Sequence, residues 1–339
     1  MKARCSIMGA ARSALAGLAM ITIATAIGGG IRVVHGEGID RYPSRPIHFV
    51  VPFGAGSQID IAARLIGTKL ADALHQPVVV ENYPGASGNI GADLVAKAAP
   101  DGYTLLFTGS LITLQPSVMG PRAVDPVASF TPVAKVGEPP MVIVAHPRLH
   151  LRSLADLVAL VKREPGKIAY ATAGVGTVQH LVASIISRQA GIDMIHVPYA
   201  NSGQALKDVV SGEVPVYFTY LGPTNAYLKR DELTALAVAS HRRISSLPEI
   251  PTVVEAGYPE AAADPWNGFL APAGTPPEIV ALLYRELARI VQLPDVRERF
   301  LSMGMDPLST SPEQFSAEIK AAVARWPAVA RAAGVQPQQ

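Results

Sequence analysis

Cysteine is nearly absent: Cys5 is the only one in 339 residues. It lies in an N-terminal stretch that reads as a secretory signal peptide. Lys2, Arg4 and Arg12 make a basic start, and residues 13–27 are small, apolar and uncharged. Gly28-Gly29-Gly30 breaks the run, and Val34-His35-Gly36 offers a cleavage point near residue 36. A membrane anchor is the other reading, but the run is short for a span and is soon ended by glycines and Arg32. With residues 1–36 removed the exported chain keeps no cysteine. That excludes disulfides, thiol catalysis and Cys-ligated metal, so the fold must rest on its core.

Charge is scarce too, at 17% of residues. The signal carries four of the 29 basic residues and no acidic one, so the mature chain has 25 basic against 27 acidic residues, a formal charge of −2. No footprint for nucleic acid remains. Nucleotide signatures are missing as well. Gly54-Ala55-Gly56-Ser57-Gln58-Ile59 and Gly174-Val175-Gly176-Thr177-Val178-Gln179 both lack the third glycine of a dinucleotide fingerprint, and no Walker lysine follows a glycine turn. Gly85-Ala86-Ser87-Gly88-Asn89 has Asn where a nucleophile elbow needs its last glycine. His146 and His150 have i,i+4 spacing, but Pro147 between them spoils a helical metal pair. No catalytic residue, metal or cofactor is expected; an exported α/β hydrolase stays open only because triads are assembled in space.

What the sequence does contain is core and punctuation: 49% hydrophobic residues, with 29 Gly and 29 Pro scattered through it. The organising stretch is residues 47–64. Ile47-His48-Phe49-Val50-Val51 reads as a buried strand, Pro52 ends it, Gly54-Ala55-Gly56 allows a tight turn, and Ser57 can cap a helix with Ile59, Ala62, Ala63 and Ile66 on one face. Strands near 78–82 and 103–108 and a helix from Ile90 continue a β-α-β-α-β order, which implies a parallel sheet flanked by helices. Residues 111–140, with six prolines, read as irregular. A second α/β series follows: strands near 141–145, 168–172, 195–199, 214–219 and 233–239, with helices between. Pro215 argues for an edge position or a distorted start in its strand. A strand at 266–272 and three closing helices end the chain. The first of these starts at Thr275-Pro276-Pro277-Glu278, with Thr275 as cap.

The turns at 53–58 and 172–177 each precede a helix and contain no Arg or Lys. The first-turn N–H groups of a helix lack intrahelical partners, and the dipole is positive there, so either turn suits a phosphate or a carboxylate; an ordinary βα loop is the alternative. Asp60 either complements the dipole or shapes the pocket by hydrogen bonding. His180 reads as a capping or packing histidine or as a ligand contact. Tyr199 reads equally as a cleft contact or a core tyrosine.

Several motifs then converge. Tyr42-Pro43-Ser44-Arg45-Pro46-Ile47 with Val51-Pro52-Phe53-Gly54-Ala55-Gly56 and Asp60 resembles the periplasmic solute receptors of tripartite tricarboxylate transporters, the Bug (Bordetella uptake gene) family. So do residues 81–91, 99–104, Thr172-Ala173-Gly174-Val175-Gly176-Thr177 with Gln179-His180, His196-Val197-Pro198-Tyr199 and residues 269–276. The likeness covers residues 42–333. It implies an α/β, two-domain Venus-flytrap fold of the class with two chain crossings, a mainly parallel sheet in each domain and hinges near 139–145 and 263–268. The halves would be 37–142 with 264–339, and 143–263. It also implies a monomer that captures a small organic carboxylate between its domains and hands it to membrane permease subunits; a membrane signalling protein is the alternative partner. The family's binding loops fall on Phe53, Gly54, Ala55, Gly56, Ser57 and Asp60, and on Thr172, Gly174, Gly176 and Thr177, with Ser110 lining the cleft. The sequence departs from the family pattern at three places. Ser57 stands where the first loop has a second glycine, Asn201 replaces a glycine, and Thr219-Tyr220 replace an acidic residue and Asn. The missing acid disfavours a ligand amine, and Tyr220 would narrow the cleft or stack on a ring.

Overall fold

In the computed structural model, which describes residues 42–199 and 201–332, the first strand forms where the β-branched and aromatic run predicts it. This strand, β1 (Ile47–Val51), pairs in parallel with β2 (Val78–Asn82) on one side and β3 (Thr104–Gly109) on the other. Helix α1 (Gln58–Leu74) joins β1 to β2 and α2 (Asn89–Ala96) joins β2 to β3. The signal-peptide reading of residues 1–36 lies outside the described residues.

The stretch read as irregular is ordered. It holds α3 (Leu111–Met119), with Pro116 inside it, and the nine-residue β4 (Phe130–Glu138). Pro132 is tolerated in β4 because it faces Leu270 at a register shift and lies beyond the reach of the neighbouring edge strand. After β4 the chain crosses at Pro139-Pro140 into β5 (Met141–Ala145) and then α4 (Leu154–Arg163). There follow β6 (Ala169–Thr172), α5 (Val178–Ala190), β7 (Ile195–Pro198), α6 (Ser202–Val210), β8 (Val216–Tyr220), α7 (Leu221–Leu228) and β9 (Thr234–Val238). The chain then returns through β10 (Asn267–Pro272), α8 (Pro277–Ile290), α9 (Pro294–Ser302), β11 (Asp306–Thr310) and α10 (Pro312–Ala332). Helix α8 starts one residue later than the Thr275 reading, because the Thr275 hydroxyl donates back to the Pro272 carbonyl at 2.8 Å.

Two sheets result. One has the order β11-β4-β10-β3-β1-β2, the other β7-β6-β8-β5-β9. The parallel pairing expected from the βαβ pattern holds over β2-β1-β3 and β7-β6-β8; the remaining strands pair antiparallel. The edge reading of Pro215 is corrected, since β8 lies between β6 and β5. Pro215 instead sits just before β8, where its carbonyl accepts the His146 N–H at 2.8 Å and its missing donor costs no ladder bond.

The first core is aromatic at its centre, with Phe269 4.7 Å from Phe49 and stacked on Phe107 at 4.4 Å. The second is largely aliphatic, built around Ile143, Leu181, Ile186 and Phe218. Helix α10 supplies both: Phe315 and Ile319 pack with the first sheet, Trp326 and Ala330 with the second. Among the described residues no helix is long and apolar enough to cross a membrane, and no cluster of His, Cys, Asp or Glu could hold a metal ion.

Candidate functional site

The carboxyl ends of β1 and β6 each run into a glycine turn and then a capped helix, and the two turns share one hydrogen-bond design. In the first, the Ser57 hydroxyl caps α1 by accepting the Asp60 N–H at 3.3 Å. The Asp60 carboxylate in turn accepts the Gly56 N–H at 2.8 Å. In the second, the Thr177 hydroxyl accepts the His180 N–H at 3.4 Å, and His180 Nδ1 accepts the Gly176 N–H at 3.2 Å. Gly56 and Gly176 hold φ of 80° and 74°, a left-handed conformation that a side chain would strain.

The third residue of each helix thus locks the turn that precedes it. Asp60 is buried and does so as an anion. Burial alone would raise its pKa, but the Arg64 guanidinium, the Gly56 N–H and the Asn82 amide together hold it below the usual carboxylate value. Arg64 reaches it from one helical turn away at 3.1 Å, and Asn82 bonds both Asp60 (2.9 Å) and the Phe53 carbonyl (3.0 Å). His180 does so as a neutral ring. It stacks on His196 with centroids 4.3 Å apart, and His196 stacks on Tyr170 at 4.9 Å. Burial lowers the pKa of His180; burial and the neighbouring His180 push that of His196 down to about 4. The Thr172 hydroxyl meets His196 Nε2 at 2.7 Å and accepts the Gly174 N–H at 3.1 Å.

Both turns border a cavity of about 600 Å³. Of the residues singled out from sequence, Phe53, Ser57, Ser110, Thr177, Thr219 and Tyr220 line it. Gly54, Ala55, Gly56, Asp60, Thr172, Gly174, Gly176, His180 and Tyr199 do not. The glycines, Asp60, Thr172 and His180 build the turns behind the wall. Tyr199 is directed elsewhere, its hydroxyl donating to Asp208 at 2.7 Å while its ring packs beside the core between α6 and β8.

Sequence reasoning missed Gln58, Gln179, Ser202, Trp266, Asn267 and Met303, which also line the cavity. Gln58 and Gln179 could have been found, since each lies in the first turn beyond a cap; Gln58 Nε2 donates to the Met303 carbonyl at 2.8 Å. Trp266 and Met303 carry no local signal, because only the return of the chain after β9 brings them to the wall. Among the described residues, the N–H groups of Gln58, Ile59, Val178 and Gln179 meet no protein acceptor, as first-turn groups do unless something else satisfies them. No lining residue is Asp, Glu, Lys, Arg or His. The site therefore offers an anion helix N-termini and hydroxyls instead of a counter-charge.

A larger cavity, of about 890 Å³, shares Ser110 and Trp266 with this one. Most of its charged groups compensate one another: Lys135 bonds Glu138 and Glu318, Arg242 pairs with Glu138, and His241 pairs with Asp264, while Arg325 donates to the Ala262 carbonyl at 2.9 Å. Only Ser110 among the sequence-derived candidates reaches it, so the smaller cavity is the candidate site.

The description "Tripartite tricarboxylate transporter family receptor" matches residues 62–335 of the chain. The protein BugT of Bordetella pertussis is 38% identical over 303 residues, which span 88% of this chain and 92% of that protein. A solved structure described as R. palustris Rpa4515 with adipate superimposes with a TM-score of 0.77 at 32% identity, covering 88% of this chain and 100% of the other. MatC of Rhodopseudomonas palustris with bound malate gives a TM-score of 0.70 at 31% identity, over 85% and 99% of the two chains. These similarities are to binding proteins, not enzymes, which sets the hydrolase alternative aside.

Proposed function

The chain belongs to the tripartite tricarboxylate transporter receptor family, and from that premise we propose that it captures a small organic carboxylate in the 600 Å³ cavity and delivers it, in the periplasm, to the membrane permease. One observation carries the reading: two capped helices, α1 and α5, bring unpartnered first-turn N–H groups to a cavity without charged side chains. That arrangement suits carboxylate oxygens, with hydroxyls and waters completing their coordination. The adipate and malate bound by similar proteins are carboxylates of this kind.

The mechanism is closure of two domains, residues 37–142 with 264–339 and residues 143–263, about the two crossings. A ligand held by Ser57 and Gln58 from one side and Thr177 and Gln179 from the other favours the closed state by its differential affinity for it. Asp60 and His180 act as positioning residues, since each fixes a turn without reaching the cavity.

The test is native mass spectrometry on protein purified without added ligand, followed by calorimetry with a panel of organic acids. A retained or titrated carboxylate at one per chain, returned unchanged, is the expected result. A folded protein that binds none of the panel would overturn the reading. For delivery, loaded receptor should drive uptake into vesicles bearing the permease; a ligand-dependent response of a membrane sensor in its place would reassign the partner.

A further inference from the structure

The cavity has a second property beyond its lack of counter-charge. Much of its wall is apolar: Phe53 and Ile59 at the first turn, Leu111, Trp266 and Met303 beyond it, and Tyr220 at the end of β8. Polar side chains stand at the two helix starts, and Ser110, Ser202, Thr219 and Asn267 add neutral hydroxyl and amide groups elsewhere on the wall. The Tyr220 hydroxyl has no hydrogen-bond partner in the protein among the described residues, while its ring packs against the core of the second sheet. Resting on the receptor reading, we propose that the ligand is an aromatic carboxylate, whose acid group sits at the helix N-termini and whose ring lies against Trp266 and Tyr220.

The physical argument compares what each ligand would leave unsatisfied. A hydroxylated short diacid such as malate brings polar groups along its whole length. Buried donors and acceptors without partners are costly, and carboxylates more so, and here no Lys or Arg lines the wall to compensate them. Its small carbon skeleton also covers little of the apolar surface. An aromatic acid concentrates polarity at one end, or at both ends when it carries two carboxylates. Its flat body then removes apolar wall from water and can take stacked or edge-on positions against the two rings. The ring also leaves the Tyr220 hydroxyl free to donate to a carboxylate or an ordered water. A linear aliphatic diacid such as adipate is intermediate: it matches the polar ends but lacks the aromatic face.

The experiment is calorimetry on the purified protein with four probes: benzoate, benzene-1,4-dicarboxylate, adipate and malate. At least one aromatic acid should bind about tenfold or more tighter than malate and also tighter than adipate. Replacing Tyr220 with alanine (Tyr220→Ala) should weaken the aromatic acid about tenfold and move adipate less than about threefold, whereas Tyr220→Phe should keep the aromatic preference. Thermal melts of both variants verify that they fold, and if Tyr220→Ala does not fold, the wild-type ranking alone decides. Malate or adipate binding tighter than both aromatic acids overturns the aromatic assignment and leaves the receptor reading intact. Binding of none of the four overturns the aromatic assignment; failure across the wider organic-acid panel overturns the receptor reading as well. A Tyr220→Ala variant that weakens all ligands equally removes Tyr220 from the specificity argument.

Discussion

The turn before α1 and the turn before α5 are built to one plan and filled with different chemistry. Each has a left-handed glycine, a hydroxyl cap and, three residues after the cap, an acceptor that reaches back to the glycine N–H. In the first turn the acceptor is an anion held by a guanidinium and an amide. In the second it is an imidazole held by stacking. The difference teaches that backbone shape and electrostatics are set separately here. Both turns can present the same N–H groups, yet one rests on an ionised network and the other on a ring that must stay neutral. Protonating His180 at Nδ1 removes its only acceptor for the Gly176 N–H, whereas Asp60 is held in its charged form, its pKa below the ordinary carboxylate value.

The largest break in this comparison should come from Asp60→Ala. It strands the Gly56 N–H and removes one partner each from Arg64 and Asn82, and is expected to cost about 3 kcal/mol by urea denaturation. His180→Ala, losing one neutral hydrogen bond and a stacked ring, should cost about half as much. Equal costs would show that the charge in the first turn contributes nothing.

A pH titration sharpens the comparison. His180 and His196 have folded pKa values below their ordinary 6.5, so the unfolded chain binds more protons as the pH falls. Their stabilisation is complete above about pH 6.5 and is lost as the pH falls towards about 4, the folded value of His196. The expected loss is about 1–2 kcal/mol once partial solvent exposure is allowed for. Asp60 has the same sign in a lower window: its contribution is present above 3.8 and is lost only as the pH falls through its still lower folded pKa. Thermal melts between pH 7 and pH 4.5 should therefore show a slope that the double variant His180→Gln/His196→Gln flattens and Asp60→Asn does not.

The smallest effect separates the two glycines. Both hold positive φ, so alanine is strained at either by about 1 kcal/mol. At Gly56 an added Cβ meets nothing within 4 Å, while at Gly176 it meets Val118 Cγ1 at 3.2 Å. Gly176→Ala should therefore be the more destabilising of the two by a further fraction of about 1 kcal/mol, read as a lower melting temperature.

Much of this was legible in the chain because it is local. Ser57 and Thr177 cap helices whose apolar spacing is plain, and both glycine turns stand directly after β-branched or small-residue strands. Asp60 and His180 were each visible with two open roles. The turn-shaping role at Asp60 and the capping role at His180 became apparent only from distances across four residues. The misreadings have the opposite character. Pro116 and Pro132 suggested irregular chain, but α3 and β4 are held by partners far off in sequence: β10 and β11 flank the strand, and α10 covers the helix, with Trp326 Nε1 donating to the Thr113 hydroxyl at 3.0 Å. Local propensity yields to that packing.

The sequence by itself determined the strand–turn–helix units, the capped helix ends that suit an anion and the family resemblance, all properties carried by neighbours along the chain. The tertiary structure decided the rest. It placed β8 inside its sheet, sent Tyr199 towards Asp208 instead of the cavity, and brought Trp266 and Met303 to the wall beside α1. The physical reason is the same in each case: burial and contact are set by which segments the chain folds together. A cavity lined by no Asp, Glu, Lys, Arg or His is a property of a surface assembled from distant segments, and no window of the sequence contains it.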